Sequence, residues 1–194
     1  TADMVVLQPL VPRLGFDPDR PLSSLLSEEE RTRLVAVLDN AGLPIEAIDP
    51  MRPWLAGITI ASLPILAAGY DPNAGVDRVL MAVAQAADKP VLGFETAEQE
   101  IRFVADLPDP LALDLLRETL EEVEAVDYLA DVSTAWLAGD VDALASLLNV
   151  DMNLEADELY RVLVIDRNRD WTKQIIARLN GSGTSFVVVG AGHL

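Results

Sequence analysis

The sequence has no cysteine, a single histidine and few cations. Without cysteine there is no disulfide framework, no thiolate metal site and no cysteine nucleophile. The compartment stays open, because an oxidising environment permits disulfides without requiring them. With His193 alone there is no His-x-x-x-His zinc motif. A Ser-His-Asp triad would hang on that one residue, and no serine sits in a nucleophile-elbow pattern. Fourteen Lys and Arg stand against 32 Asp and Glu, a net charge of −18. That excess of anions excludes nucleic acid as a partner, since phosphates are neutralised by Lys and Arg. It argues equally against an anionic membrane surface. The opening Thr1-Ala-Asp-Met-Val-Val-Leu7 lacks the basic and long apolar regions of a signal peptide. What remains is an acidic protein of 194 residues, 51% apolar, long enough for one domain and apolar enough for a sizeable core.

The charge is uneven. Between Glu95 and Glu158 the only cations are Arg102 and Arg117. Such a run reads as a long solvated helical face, or as an acidic field that draws cations toward a site. Helical patterns dominate. Residues 9–26, rich in proline and glycine, read as an extended loop. Ser27-Glu-Glu-Glu30 is a capping box for a helix that stops at Gly42, and Thr96-Ala-Glu-Gln99 is a second box opening a helix to about Leu107. The uncharged stretch Trp54–Tyr70 is shorter than the roughly 20 residues a bilayer span needs and carries Pro64, so a buried, kinked core helix is expected. Further helices are expected over 76–88, 110–138 as one long amphipathic helix, 141–149, 155–165 and 170–179.

Two short apolar runs, Pro90-Val-Leu-Gly-Phe94 and Ser185-Phe-Val-Val-Val189, read as strands. The expectation is therefore a mainly helical α/β domain over 1–194. A small central sheet holds core strands near 90–95 and 185–190, with helical segments over about 22–88 and 97–180 packed around it. A chain that starts mid-domain and stops on an uncovered strand is expected to be truncated at both ends.

Glu95 and His193 each follow one of these runs. In one sheet they would emerge at the same edge, where open α/β sheets place their sites. A carboxylate and a neutral imidazole suit a shared divalent metal, or a base and its orienting partner. The plainer reading is that Glu95 caps the next helix and His193 is a surface residue near the chain end. Arg167 and Asn168 precede the helix expected from Asp170. Asp166 or Asn168 could cap it, or Arg167 could stabilise an oxyanion or an ionised Glu95. Gly190-Ala-Gly192 matches only the start of a dinucleotide fingerprint, and no helix or ribose-binding acid follows.

Trp54-Leu-Ala, Gly69-Tyr-Asp-Pro72 with Gly75-Val-Asp77, Lys89-Pro-Val-Leu-Gly-Phe-Glu-Thr96 with Gln99, Trp136-Leu-Ala-Gly-Asp140, Arg167-Asn-Arg169 and Val189-Gly-Ala-Gly-His-Leu194 occur in that order. Together, from about Leu22 onward, they resemble the TraB/GumN family, related to the animal Tiki proteases and more distantly to the erythromycin-esterase/ChaN-like hydrolases. The resemblance implies a metal-dependent hydrolase, peptidase- or esterase-like. Its metal ligands would be Glu95 and His193, its site would include Arg167 and Asn168, and its ion would be Mn, Co or Zn. It also implies a bacterial, periplasmic or otherwise exported protein acting on a peptide or ester, with homo-oligomers a further option. The family's N-terminal Gly-x-x-His is absent, and two ligands fall short of the roughly three protein ligands of a catalytic zinc site. These 194 residues alone are expected to be inactive. The competing expectation is a non-catalytic interaction protein on the same scaffold.

Overall fold

The computed structural model describes residues 2–124, 128–148 and 158–193, with side chains from Pro9 onward and excepting that of Glu124. Every extended regular element among them is a helix: α1 Ala2–Gly15, α2 Glu28–Asn40, α3 Pro53–Ala67, α4 Val76–Ala86, α5 Ala97–Ala105, α6 Asp109–Glu124, α7 Tyr128–Ala138, α8 Val141–Leu148, α9 Glu158–Tyr160 and α10 Asp166–Leu179. A π-helical segment, Arg161–Ile165, joins the last two, and short 3-10 turns occupy Leu22–Ser24, Ile45–Ala47 and Ala191–His193.

The expected central sheet is not there. Residues 90–95 and 185–190 have no strand structure, and the isolated bridge between Phe16 and Met51 is the sole β pairing among the described residues. Among the described residues the fold is all-helical, not α/β. An apolar β-branched run signals burial, but a strand exists only where a second strand supplies the ladder of hydrogen bonds. Neither run finds one, and Leu92 (65%) and Phe186 (82%) are left exposed.

The expected loop over 9–26 also fails in part. Pro9 and Pro12 lie inside α1, although interior proline costs a helix about 3 kcal/mol. Tertiary contacts compensate. Leu10 is buried, and the carbonyls at the end of α1 are taken up by Arg52 and Trp54. Arg52 Nη1 and Trp54 Nε1 both donate to Leu14 O, at 3.0 and 3.2 Å, and Arg52 N donates to Gly15 O at 2.7 Å. Orphan C-terminal carbonyls thereby find donors. The helix expected over 110–138 is described as α6 and α7, its middle, 125–127, lying outside the described residues. So do residue 149 and residues 155–157 of the two shorter expected helices.

The chain divides into two compact units, Thr1–Tyr70 with Glu95–Tyr128 and Asp71–Phe94 with Leu129–Leu194. In the first, α3 packs along α6, and α2 also lies on α6. Leu34, Leu38, Ile48, Ala56, Ile60, Leu116 and Leu120 form its core with Leu22. The two helices approach closely at Gly57, where a Cβ would stand in ordinary contact, 3.7 Å from Leu116 Cα. α3 is buried on this face, at Trp54, Ala56, Gly57 and Ile60, and exposed at Ile58, Ile65 and Leu66. In the second unit, α9, the π segment and α10 run on as one helical stretch, and α8 packs on the turn Ala191–His193. Gly139, at φ 68°, closes α7 in the left-handed conformation, and the Asp140 side chain caps α8 by accepting from Ala143 N at 2.9 Å.

Candidate functional site

The second unit gathers a histidine, an amide, a guanidinium and two aromatic rings. α10 supplies three of them. Arg167, Asn168 and Trp171 are spaced by three and four residues, so they share one helix face. The π segment immediately before them resets the register of that face, and π segments inside helices often mark functional positions. Neither Asp166 nor Asn168 caps a helix, as was expected of one of them: both lie inside α10.

The chain end brings His193 to this face. His193 N bonds to Gly190 O at 3.0 Å, closing the 3-10 turn. The imidazole then lies 4.4 Å from the Trp171 ring centroid at an interplanar angle of 43°. Its Nδ1 is 2.8 Å from Asn168 Oδ1, while Asn168 Nδ2 donates to His193 O at 3.2 Å. Arg167 places its guanidinium carbon 4.9 Å from the centre of the Trp171 ring, a cation–π contact, and donates to Leu163 O at 3.2 Å. Trp171 is buried (9% exposed). On it Phe94 also stacks, at 5.7 Å and 25°, and Gln174 Nε2 donates to Phe94 O at 3.0 Å.

Three of the four residues singled out in the sequence, Arg167, Asn168 and His193, thus stand together in the second unit. Glu95 opens the second stretch of the first unit, half-buried. The cap of α5 is Thr96, not Glu95: Thr96 Oγ1 accepts from Gln99 N at 3.2 Å and Gln99 Oε1 accepts from Thr96 N at 2.9 Å. Sequence reasoning missed Trp171, Phe94 and Gln174. The available signal was a buried-type aromatic three and four residues after the Asn168 and Arg167 pair, on a helix otherwise strongly polar.

No group of three or more His, Cys, Asp or Glu side chains that could hold a metal occurs among the described residues. Around His193 the donor set is one imidazole beside an amide, with a guanidinium over the same indole. That set offers a divalent cation one ligand, the imidazole, and the remaining donors would have to come from elsewhere in the complete protein.

A second polar cluster lies in the first unit, in a surface groove of about 310 Å³ between α2 and α6. Arg117 bonds to Glu30 and, at 2.8 Å, to Asp114. The Arg117 guanidinium, with the Ser27 backbone N–H as the next cause, holds the Glu30 carboxyl down at about 2. The charges here satisfy one another: Glu30 closes the α2 capping box and ties it to α6. The cluster is a structural clamp.

A chain whose described residues are all-helical, and which seats its one histidine on a buried indole and an asparagine, defines a class by architecture, not yet by kinship. Kinship comes from comparison: the model of the TraB/PrgY/gumN family matches residues 2–194, and the chain belongs to that family. Its relatives include the uncharacterized protein YbaP of Escherichia coli (strain K12) and that of Shigella flexneri, each 27% identical over 176 residues, which is 89% of this chain. The chain spans 64% of the length of these curated relatives. No solved structure matches it.

Proposed function

We propose that the complete protein is a metal-dependent hydrolase, peptidase- or esterase-like, and that this chain is the part of it carrying Glu95, Arg167, Asn168 and His193. Kinship with the Tiki and erythromycin-esterase/ChaN-like hydrolases, and export to the periplasm, belong to the same proposal and rest on the motif resemblance. One observation carries it: His193 is braced on both sides, by the Trp171 ring and the Asn168 amide, as a reacting or ligating imidazole needs to be.

The ion, Mn, Co or Zn, would polarise a carbonyl and acidify a bound water. Glu95 and His193 are the proposed ligands, and the proposal requires at least one further donor, since catalytic zinc sites use about three. The chain's own groups have roles that need no ion. Where it is not ligating, a neutral His193 can instead use its one unshared pair to take a proton from an attacking water, and general base catalysis of that kind contributes about 10²–10⁴-fold. Arg167, fixed over Trp171, offers a positive charge to the oxygen that becomes negative in an acyl-transfer transition state.

The test uses the complete protein, peptide and ester substrates, and added Mn²⁺, Co²⁺ or Zn²⁺. His193→Ala and Glu95→Gln should each lower metal-dependent turnover by about 10²-fold or more, with helical circular dichroism unchanged. The 194 residues alone should turn over little or nothing. Parent-like activity in both variants would move the assignment to the second reading, a non-catalytic interaction protein. That reading is favoured by the apolar side chains of the second unit left exposed, among them Val79, Val83, Leu92 and Phe186.

A further inference from the structure

The amide of Asn168 touches His193 twice, and the two contacts together determine more than either alone. The backbone carbonyl of His193 can only accept a hydrogen bond, so the amide nitrogen of Asn168 must face it, at 3.2 Å. Rotating the amide by half a turn would set two acceptor oxygens against each other. With Nδ2 fixed on the carbonyl, Oδ1 is the atom 2.8 Å from the imidazole Nδ1. An amide oxygen also only accepts, so Nδ1 must carry the proton. We infer that Asn168 is the positioning residue that holds neutral His193 in the Nδ1–H form, leaving the unshared pair of the ring on Nε2.

That outcome runs against the intrinsic preference of the side chain, because an unconstrained neutral histidine in water favours Nε2–H. The brace has to reverse it. Turning the ring over would set the Cδ2–H edge against Asn168 Oδ1 and forfeit that hydrogen bond, so the ring keeps Nδ1 toward Asn168. A neighbour at one ring nitrogen dictates which nitrogen is left to ligate or to take a proton. The inference rests on the reading of His193 as the site's imidazole for its meaning in catalysis, but not for its truth.

The chain contains one histidine, so its imidazole gives one set of nitrogen resonances without assignment. In ¹⁵N-labelled chain, above the pH at which the ring deprotonates, Nδ1 should show the pyrrole-type shift and Nε2 the pyridine-type shift. Asn168→Ala should return the ring to the Nε2–H form. Asn168→Asp keeps an acceptor for Nδ1–H but sets its second oxygen against His193 O, so it should hold Nδ1–H less fully than the parent and more fully than Asn168→Ala, a graded response that a merely structural role for the side chain would not produce. A dominant Nε2–H ring in the parent chain would overturn the inference, whatever the variants do. So would an Asn168→Ala chain that retains Nδ1–H. In the complete protein, the loss of the brace in Asn168→Ala should lower any hydrolysis by about 10–100-fold, with only partial recovery in the Asp variant. An Nδ1–H ring in a protein that hydrolyses nothing supports the inference and counts against the hydrolase reading instead.

Discussion

Glu30 shows how one residue can serve two elements at once. Its carboxylate accepts from Ser27 N at 2.7 Å, completing the cap of α2, and pairs with Arg117 on α6. The cap was legible from the spacing Ser27-Glu-Glu-Glu30; the partner 87 residues away was not, because no local pattern encodes it. The carboxyl is held at about 2 against an ordinary 4.5. A lowered folded-state value means stability that is present in full above 4.5 and lost as pH falls from there toward 2. Glu30→Gln can keep the capping oxygen but replaces the charge, and the oxygen that faces Arg117, with an NH2 group. The pair is partly exposed, so screening reduces its worth to about 1 kcal/mol. Urea melts at pH 7 should show the Gln variant weaker by about that amount, and the gap should narrow as the pH falls from 4.5 toward 2. A gap that persists undiminished at the acid end would mean that the charge is not its source.

At the scale of elements, α3 and α6 set the first unit, and their spacing is decided at Gly57. A Cβ there would meet Thr119 Oγ1 at 3.6 Å and Leu116 Cα at 3.7 Å, ordinary contact distances with no room beyond. Gly57→Ala should therefore stabilise by about 0.5–1 kcal/mol, by removing a glycine from a helix interior without a clash. Gly57→Leu should destabilise by about 1–3 kcal/mol, because the larger side chain forces the helices apart. Thermal melts of the two variants should shift in opposite directions. Helix starts were readable wherever a side chain closes the first turn, as at Ser27 and Thr96. So were ends at Gly42 and Gly139, which adopt φ 69° and 68°. The runs at 90–94 and 185–189 were misread for a physical reason: β-branched residues favour extended backbone, but pairing belongs to a partner elsewhere in the chain.

The two units of the whole molecule are unequal. The first has a contiguous core of eight buried residues. In the second, the described residues buried as apolar side chains are Ala135, Leu144, Leu159 and Trp171, while Val79, Val83, Leu92, Leu137, Leu179 and Phe186 stay exposed. Local opening is easiest where few apolar contacts are lost. Amide hydrogen exchange should accordingly be slowest in α3 and α6 and fastest in 88–94 and 181–189. Equal protection in these stretches would indicate that the unpaired runs are paired in solution. The same measurement separates α10, held by Trp171 against His193 and Phe94, from the segment 181–189 that follows it.

The sequence by itself determined the caps, most helix spans, and the short list containing Glu95, Arg167, Asn168 and His193. Each of these depends on residues near one another in the chain, where local hydrogen bonding and spacing suffice. Tertiary structure decided the rest. It turned two strand-like runs into unpaired segments, kept α1 helical through Pro9 and Pro12, and joined Arg117 to Glu30. It also laid His193 on Trp171 with Asn168 at its Nδ1, 25 residues apart in sequence. Those outcomes hang on packing and on hydrogen-bond partners that the chain meets only after it folds.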